Sequence, residues 1–229
     1  DGSINTTYTS VNTTAGFSIS KYTGTGSNAT FGHGLGVKPD MFIIKRLNAA
    51  EDWATYHQSM TASYYLNLNL SQAQQSNNRF NGEPDTSVIK LQTHAAVNGS
   101  GDTYICYAFA NKKGYSRFGT YTGNGNADGT FVYTGFKPAW VLTKETSNTS
   151  SWDMHDNKRD SFNVCSKHLL AEDNGLEGNT VMLDLVSNGF KFRSSNGDRN
   201  QSGATYIYMA FAEEPLVANV GASIPATAR

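Results

Sequence analysis

Three carboxylates crowd one short stretch of the chain, Asp153, Asp156 and Asp160. Two carboxyl groups flanking a glycosidic bond can hydrolyse it, one as acid and the other as base or nucleophile. This stretch is therefore the candidate for a glycan depolymerase. Only Asp52 stands near the corresponding place in the first half, and solvated loop carboxylates are the simpler reading. Sugar binding without hydrolysis often uses other residues, an aromatic face for stacking with a few placed polar groups. Trp53 with Tyr56 and His57, and Trp152 with Asp153 and His155, supply that combination twice. The competing reading is packing, because a Trp beside a strand buries a large apolar area.

Other motifs carry less. Asn124-Gly125-Asn126-Ala127-Asp128-Gly129 imitates the start of a calcium loop, but its twelfth position is Gly135 instead of a bidentate Glu. Turn chemistry explains it better, and no metal site is expected. Ser87-Val88-Ile89-Lys90 spells Ser-x-x-Lys on an expected strand without companion motifs. No Gly-x-Ser-x-Gly, His-Glu-x-x-His or phosphate loop occurs, so no catalytic residue and no cofactor is expected and the chain does not read as an enzyme. His33 and His94 read as turn or loop residues. Cys106 and Cys165 match no zinc spacing and read as two free buried thiols.

The bulk composition narrows the partners. Of the 229 residues, 38% are hydrophobic and only 16% charged, so much of the polarity is Asn, Ser, Thr and Gly. Such residues suit turns between strands and disfavour helices. The net charge is −1, and Lys112-Lys113 is the densest basic spot. Nucleic acid, which is held largely through neutralised phosphates, is disfavoured. No apolar run approaches the ~20 residues of a membrane-spanning helix. The start at Asp1 suggests a fragment or a processed product.

The elements that position these residues come in two sets. Tyr22-Thr23-Gly24-Thr25-Gly26 recurs as Tyr121-Thr122-Gly123-Asn124-Gly125, and Gly36-Val37-Lys38-Pro39 as Gly135-Phe136-Lys137-Pro138. Trp53 and Trp152 keep the same separation of 99 residues. Later the separation drifts to 102, where Tyr104–Ala110 recurs as Tyr206–Ala212. Alternating apolar positions predict strands near 16–23, 40–46, 53–58, 63–69, 87–92 and 103–110. The second half has them near 114–122, 139–145, 151–155, 180–185, 189–194 and 204–212. A short helix near 61–67 or 71–76 is an option.

Only four residues separate the strand ending at Ala110 from the next one, a length typical of a hairpin. The expected fold is therefore an all-β, antiparallel β-sandwich of jelly-roll or concanavalin-like type, built from two internally repeated halves. Residues 16–113 form the first repeat, and 114–215 the second, sharing one core with it. Residues 1–15 and 216–229 read as extended arms.

These residues resemble a known family. The resemblance runs through Asn12–Ile19, Tyr22-Thr23-Gly24, His33–Pro39 and Trp53 to His57. It continues through Gly123–Gly129, Val132–Val141, Thr205–Glu213 and Pro225–Arg229. The chain resembles the duplicated domain of unknown function found in tail-fibre and other structural proteins of marine bacteriophages. The resemblance implies a structural protein of the virion surface, a fibre or spike tip or a capsid decoration, acting by protein–protein contact. Its expected partners are other virion proteins and copies of itself, as a homo-oligomer with a trimer favoured, with a host-surface glycan as a further ligand. The alternatives are the depolymerase described above and a pure cement protein without a ligand.

Overall fold

The computed structural model describes residues 2–213. The chain is all-β with antiparallel sheets, in two compact units divided between Asn111 and Lys112. The first unit holds β1 (Tyr8–Asn12), β2 (Phe17–Thr23), β3 (Ala29–Gly32), β4 (Met41–Arg46) and β5 (Ala54–His57). A 3₁₀ turn at Gln58–Ser63 leads into β6 (Tyr64–Asn67), β7 (Gln75–Ser76), β8 (Val88–Leu91), the one-turn helix α1 (Ala95–Asn98) and β9 (Thr103–Phe109). Seven strands pair in the order β1-β2-β9-β4-β5-β6-β7, and β3 and β8 form a separate ribbon. Phe31, Ile89 and Leu91 from the ribbon join Tyr22, Phe42, Ile44, Tyr56 and Tyr104 from the sheet in one buried cluster. Ribbon and sheet are thus the two layers of this unit.

The second unit holds β10 (Ser116–Thr122), β11 (Phe131–Tyr133), β12 (Pro138–Glu145), β13 (Trp152–Asp156) and β14 (Cys165–Leu170). It continues with β15 (Gly178–Val186), β16 (Gly189–Phe192), the one-turn helix α2 (Gly197–Asn200) and β17 (Thr205–Ala212). The strand order is β10-β17-β12-β13-β14-β15-β16-β11. The register of β14 against β15 shifts between Cys165 and Lys167, where two steps along β14 face the longer stretch from Leu183 to Asn179 in β15, an irregularity of the kind that kinks and twists a strand. Val132, Leu183, Leu185, Phe190 and Phe192 lie in one cluster with Tyr121, Val141, Tyr206 and Tyr208.

The Tyr-Thr-Gly-x-Gly stretches have a physical reason. Tyr22 is fully buried and its hydroxyl donates to Val97 O at 2.6 Å, while Tyr121 donates to Arg199 O at 2.8 Å. The amide after each Gly donates to a buried Asn, Thr25 N to Asn98 Oδ1 and Asn124 N to Asn200 Oδ1. A Cβ on Gly24 would stand 2.3 Å from Gly99 O, and one on Gly123 would stand 2.2 Å from Gln201 O. Tyr104 and Tyr206 close the motif, each hydroxyl donating to the first carbonyl of the one-turn helix, Ala95 O or Gly197 O.

Three expectations need correction. The joint at 111–114 does not make a hairpin between β9 and β10. Strand β9 already has β2 on one side and β4 on the other, and β10 pairs with β17. Loop length alone signals a hairpin only when the strand before it keeps an edge free. Residues 2–12 belong to the first unit instead of forming a free arm: Ile4 is buried against β3, and β1 pairs along its whole length with Phe17–Lys21 of β2. The optional helix is a 3₁₀ turn followed by strand. The stretch 216–229, expected as the second arm, lies outside the described residues.

Candidate functional site

Five of the six expected sugar-binding residues are closed to solvent. Trp152 is the largest fully buried side chain. Tyr56 stacks on Phe42 at 4.7 Å between ring centroids and donates its hydroxyl to Glu83 Oε2. His57 is buried and caps the 3₁₀ turn, its Nδ1 accepting from Ser59 N. Asp153 and His155 are buried on β13, and only Trp53 is partly exposed. A sugar ring cannot stack on a residue it cannot reach, so these residues pack the interior.

The three aspartates do not converge. Asp153 and Asp156 are three apart on one strand and so point to opposite faces. Asp153 pairs with Arg199, Asp156 with Arg159, and Asp160 accepts Ser166 N and Lys167 N. In the calcium-like stretch, Asn124 Oδ1 accepts from Asn126 N and Asn126 Oδ1 from Asp128 N, the hydrogen bonds of Asx turns. Asp128 pairs with Lys191. Lys90 of the Ser-x-x-Lys stretch pairs with Asp85. Cys106 and Cys165 are both free and buried, and burial pushes the Cys165 thiol up to about 11.

An open cleft of about 590 Å³ lies in the first unit. The N-terminal segment forms one wall with Asn5, Thr6 and Thr9; Gly32, Gly34 and Gly36 form the loop side; Thr86 and Ser87 complete it. Gly34 and Gly36 take φ of 73° and 71°, a conformation glycine adopts without strain. From Gly32 to Gly36 the chain alternates: His33 and Leu35 are buried while the glycines line the cleft. His33 holds this loop in place. Its Nδ1 accepts from Leu35 N, so its Nε2 carries the proton and donates to Asp85 O at 3.1 Å. Burial lowers its pKa and keeps it in this neutral form. The lining is hydroxyl, amide and bare backbone with the apolar side chain of Ile4, and among the described residues it holds no charged side chain and no aromatic ring. Such walls offer donors and acceptors to a neutral, hydrogen-bonding ligand and no group for acid–base work.

The second unit has a polar interior where the first is apolar. Ala54 sits opposite Ile44 in β4–β5, and Asp153 sits opposite Thr143 in β12–β13. By the same correspondence His155 stands where Tyr56 does, and Arg199 where Val97 does, all of them buried. Arg199 Nη2 donates to Asp153 Oδ1. Burial raises the Asp153 carboxyl to about 7 while Arg199 pulls it down. Burial first, then the Arg199 charge, lowers His155 to about 3. The His168 ring lies 5.7 Å from that of His155.

A family model described as a domain of unknown function, DUF7483, matches residues 1–215. The chain belongs to the DUF7483 family. No curated protein and no solved structure matches it. Within this DUF7483 chain, sequence reasoning missed the cleft because its walls are Thr, Ser and Gly from three separated segments. The alternation in His33-Gly34-Leu35-Gly36 was the one local signal for it. Sequence reasoning missed the polar cluster because Asp153 and Arg199 meet only through the pairing of β12 with β13 and the placing of α2.

Proposed function

We propose that this chain is a non-catalytic contact module of a virion surface, a fibre or spike tip or a capsid decoration. It acts by binding other virion proteins, copies of itself and a host-surface glycan. The observation that carries the ligand part of this reading is the cleft at Thr6, Thr9, Gly34, Gly36, Thr86 and Ser87, whose lining is uncharged and mixes hydroxyls, an amide and bare backbone with the apolar Ile4. The hydroxyls, amide and backbone groups of this lining are donors and acceptors that match the hydroxyls of a neutral sugar, and the cleft volume falls within the range of small-ligand pockets. The virion part rests on the sequence resemblance. The absence of converging carboxylates at Asp153, Asp156 and Asp160 supports binding over hydrolysis. The two halves, with their matching pairings in β2-β9-β4-β5 and β10-β17-β12-β13, support duplication of one ancestral unit.

A glycan array tests the ligand. The wild-type protein should retain a neutral oligosaccharide, and Thr86→Trp, which fills the mouth of the cleft from an exposed position, should weaken it at least ~10-fold. Binding that survives this substitution unchanged, or no binding across a broad panel, would sink the glycan reading. Gold-labelled antibody on intact particles tests the location.

A further inference from the structure

We propose that the outer edge of β11 pairs with β11 of a second copy across a twofold axis, with Phe131 and Tyr133 as the contact residues. This rests on the contact-module reading and names one of its surfaces. The argument begins in the first unit. There Thr30↔Lys90, Phe31↔Ile89 and Gly32↔Val88 pair in β3–β8. In the second unit Phe131↔Lys191, Val132↔Phe190 and Tyr133↔Gly189 pair in β11–β16, each partner 101 residues further on. The edge of β3 is covered. Ile4 N donates to Thr30 O at 2.8 Å, Thr30 N donates to Ser3 Oγ at 2.9 Å, and Ile4 bridges Phe31 in parallel.

Strand β11 is the last strand of its sheet, and among the described residues nothing pairs on its outer side. The chain that would correspond to the Ser3–Ile4 segment is residues 104–105, which are committed to β9. The second unit therefore has no lead-in of its own. Thr30 turns both N–H and C=O outward, so Phe131 at the equivalent position does the same. The alternation of antiparallel pairing places those of Tyr133 outward too.

The occupant is not another Ser-Ile segment. In the first unit Thr30 Oγ1 accepts from Ser3 N, and Gly2 sits so close that a Cβ on it would be 2.3 Å from Thr30 O. Phe131 has no hydroxyl to offer, and aromatic rings replace Thr30 and Gly32 at both ends of the edge. Phe131 and Tyr133 are 45% and 63% exposed. The edge is self-complementary instead. Three residues centred on Val132 place Phe131 opposite Tyr133 of the copy, and Tyr133 opposite its Phe131. Each pair exchanges two backbone hydrogen bonds and sets a Phe beside a Tyr on one face. The contact is far smaller than the ~1,200 Å² of a standard interface, so the dimer forms at high concentration or on an assembled particle.

Cysteine cross-linking of the full chain tests the register. Phe131→Cys mixed with Tyr133→Cys should cross-link at least ~5-fold more than either variant alone, because 131 faces 133 while like positions are about 7–8 Å or more apart. The buried Cys106 and Cys165 serve as an unreactive background. Sedimentation of Tyr133→Pro gives the second readout. The Tyr133 N–H is not used by β16, so a proline there leaves the ladder and the melting temperature intact. It should weaken self-association at least ~10-fold. A monomer at every concentration, cross-links independent of the 131/133 combination, or association indifferent to Tyr133→Pro would each overturn the proposal. Glycan binding by Tyr133→Pro distinguishes this failure from that of the cleft reading, since the cleft residues lie in the first unit.

Discussion

Asp153 and Arg199 hold each other inside the second unit, and either one alone would be a buried charge without its partner. Removing one, as Asp153→Ala or Arg199→Met, should cost about 3–5 kcal/mol in a urea titration above pH 7, where Asp153 is ionised. Replacing both together should cost far less, because the desolvation of two ions disappears with the pair; a double variant as unstable as the singles would refute this. The same residues set a pH dependence with opposing parts. His155 titrates near 6.5 in the unfolded chain and near 3 when folded. The unfolded chain binds the extra proton in that window, so this contribution is full above pH 6.5 and lost as the pH falls. Asp153 titrates near 3.8 unfolded and near 7 folded. The folded chain binds the extra proton there, so its contribution is present at low pH and lost as the pH rises towards 7. The two slopes offset each other between about pH 4 and 6.5. Asp153→Asn should therefore steepen the fall in melting temperature below pH 6.5, and His155→Phe should make the melting temperature fall as the pH rises from 4 to 7. Parallel melting curves for all three proteins across that range would contradict the assignment.

At the scale of the element, the Tyr-Gly turns decide whether the one-turn helices stay packed on their sheets. Tyr22→Phe and Tyr121→Phe each strip a donor from a backbone carbonyl, Val97 O or Arg199 O, and should cost about 1–3 kcal/mol. Gly24→Ala should cost more than Tyr22→Phe, because its Cβ meets a backbone oxygen that has no rotamer with which to retreat. Thermal melts monitored by circular dichroism would rank them, and the reverse order would count against the close-approach argument. These turns were legible beforehand because the motif occurs twice. The strands β2, β4, β9, β12 and β17 were also legible, since burial imposes alternating or continuous apolar runs on them. By contrast β1 is exposed along its whole length and carries no pattern, and β11 is only three residues long. The neighbours of β9 could not be read from the short joint after it, because strand order is set by long-range packing. The cleft and the Asp153–Arg199 pair stayed hidden for the same reason: both are assembled from segments that only the sheet order brings together.

For the whole molecule, the balance of charge predicts how its contacts respond to salt. The chain carries a net charge of −1, and neither the cleft nor the outer edge of β11 presents a charged side chain. Its exposed ion pairs, such as Lys38–Glu83 and Lys158–Glu213, use no residue of either surface; the charges nearest to those surfaces, Lys191 opposite Phe131 and Asp85 beside Thr86, are already paired with Asp128 and Lys90. Screening shortens the reach of exposed charges from about 10 Å at 0.1 M salt to about 3 Å at 1 M. Hydrogen bonds between neutral groups and the burial of aromatic rings are not screened in this way. Raising sodium chloride from ~0.1 M to ~1 M should therefore change oligosaccharide affinity by less than about twofold and leave self-association through β11 intact or slightly stronger. Calorimetry for the sugar and sedimentation for the dimer measure the two effects separately. A loss of either contact by a factor of ten over this range would mean that charged groups carry it, and would move the binding surface elsewhere on the molecule.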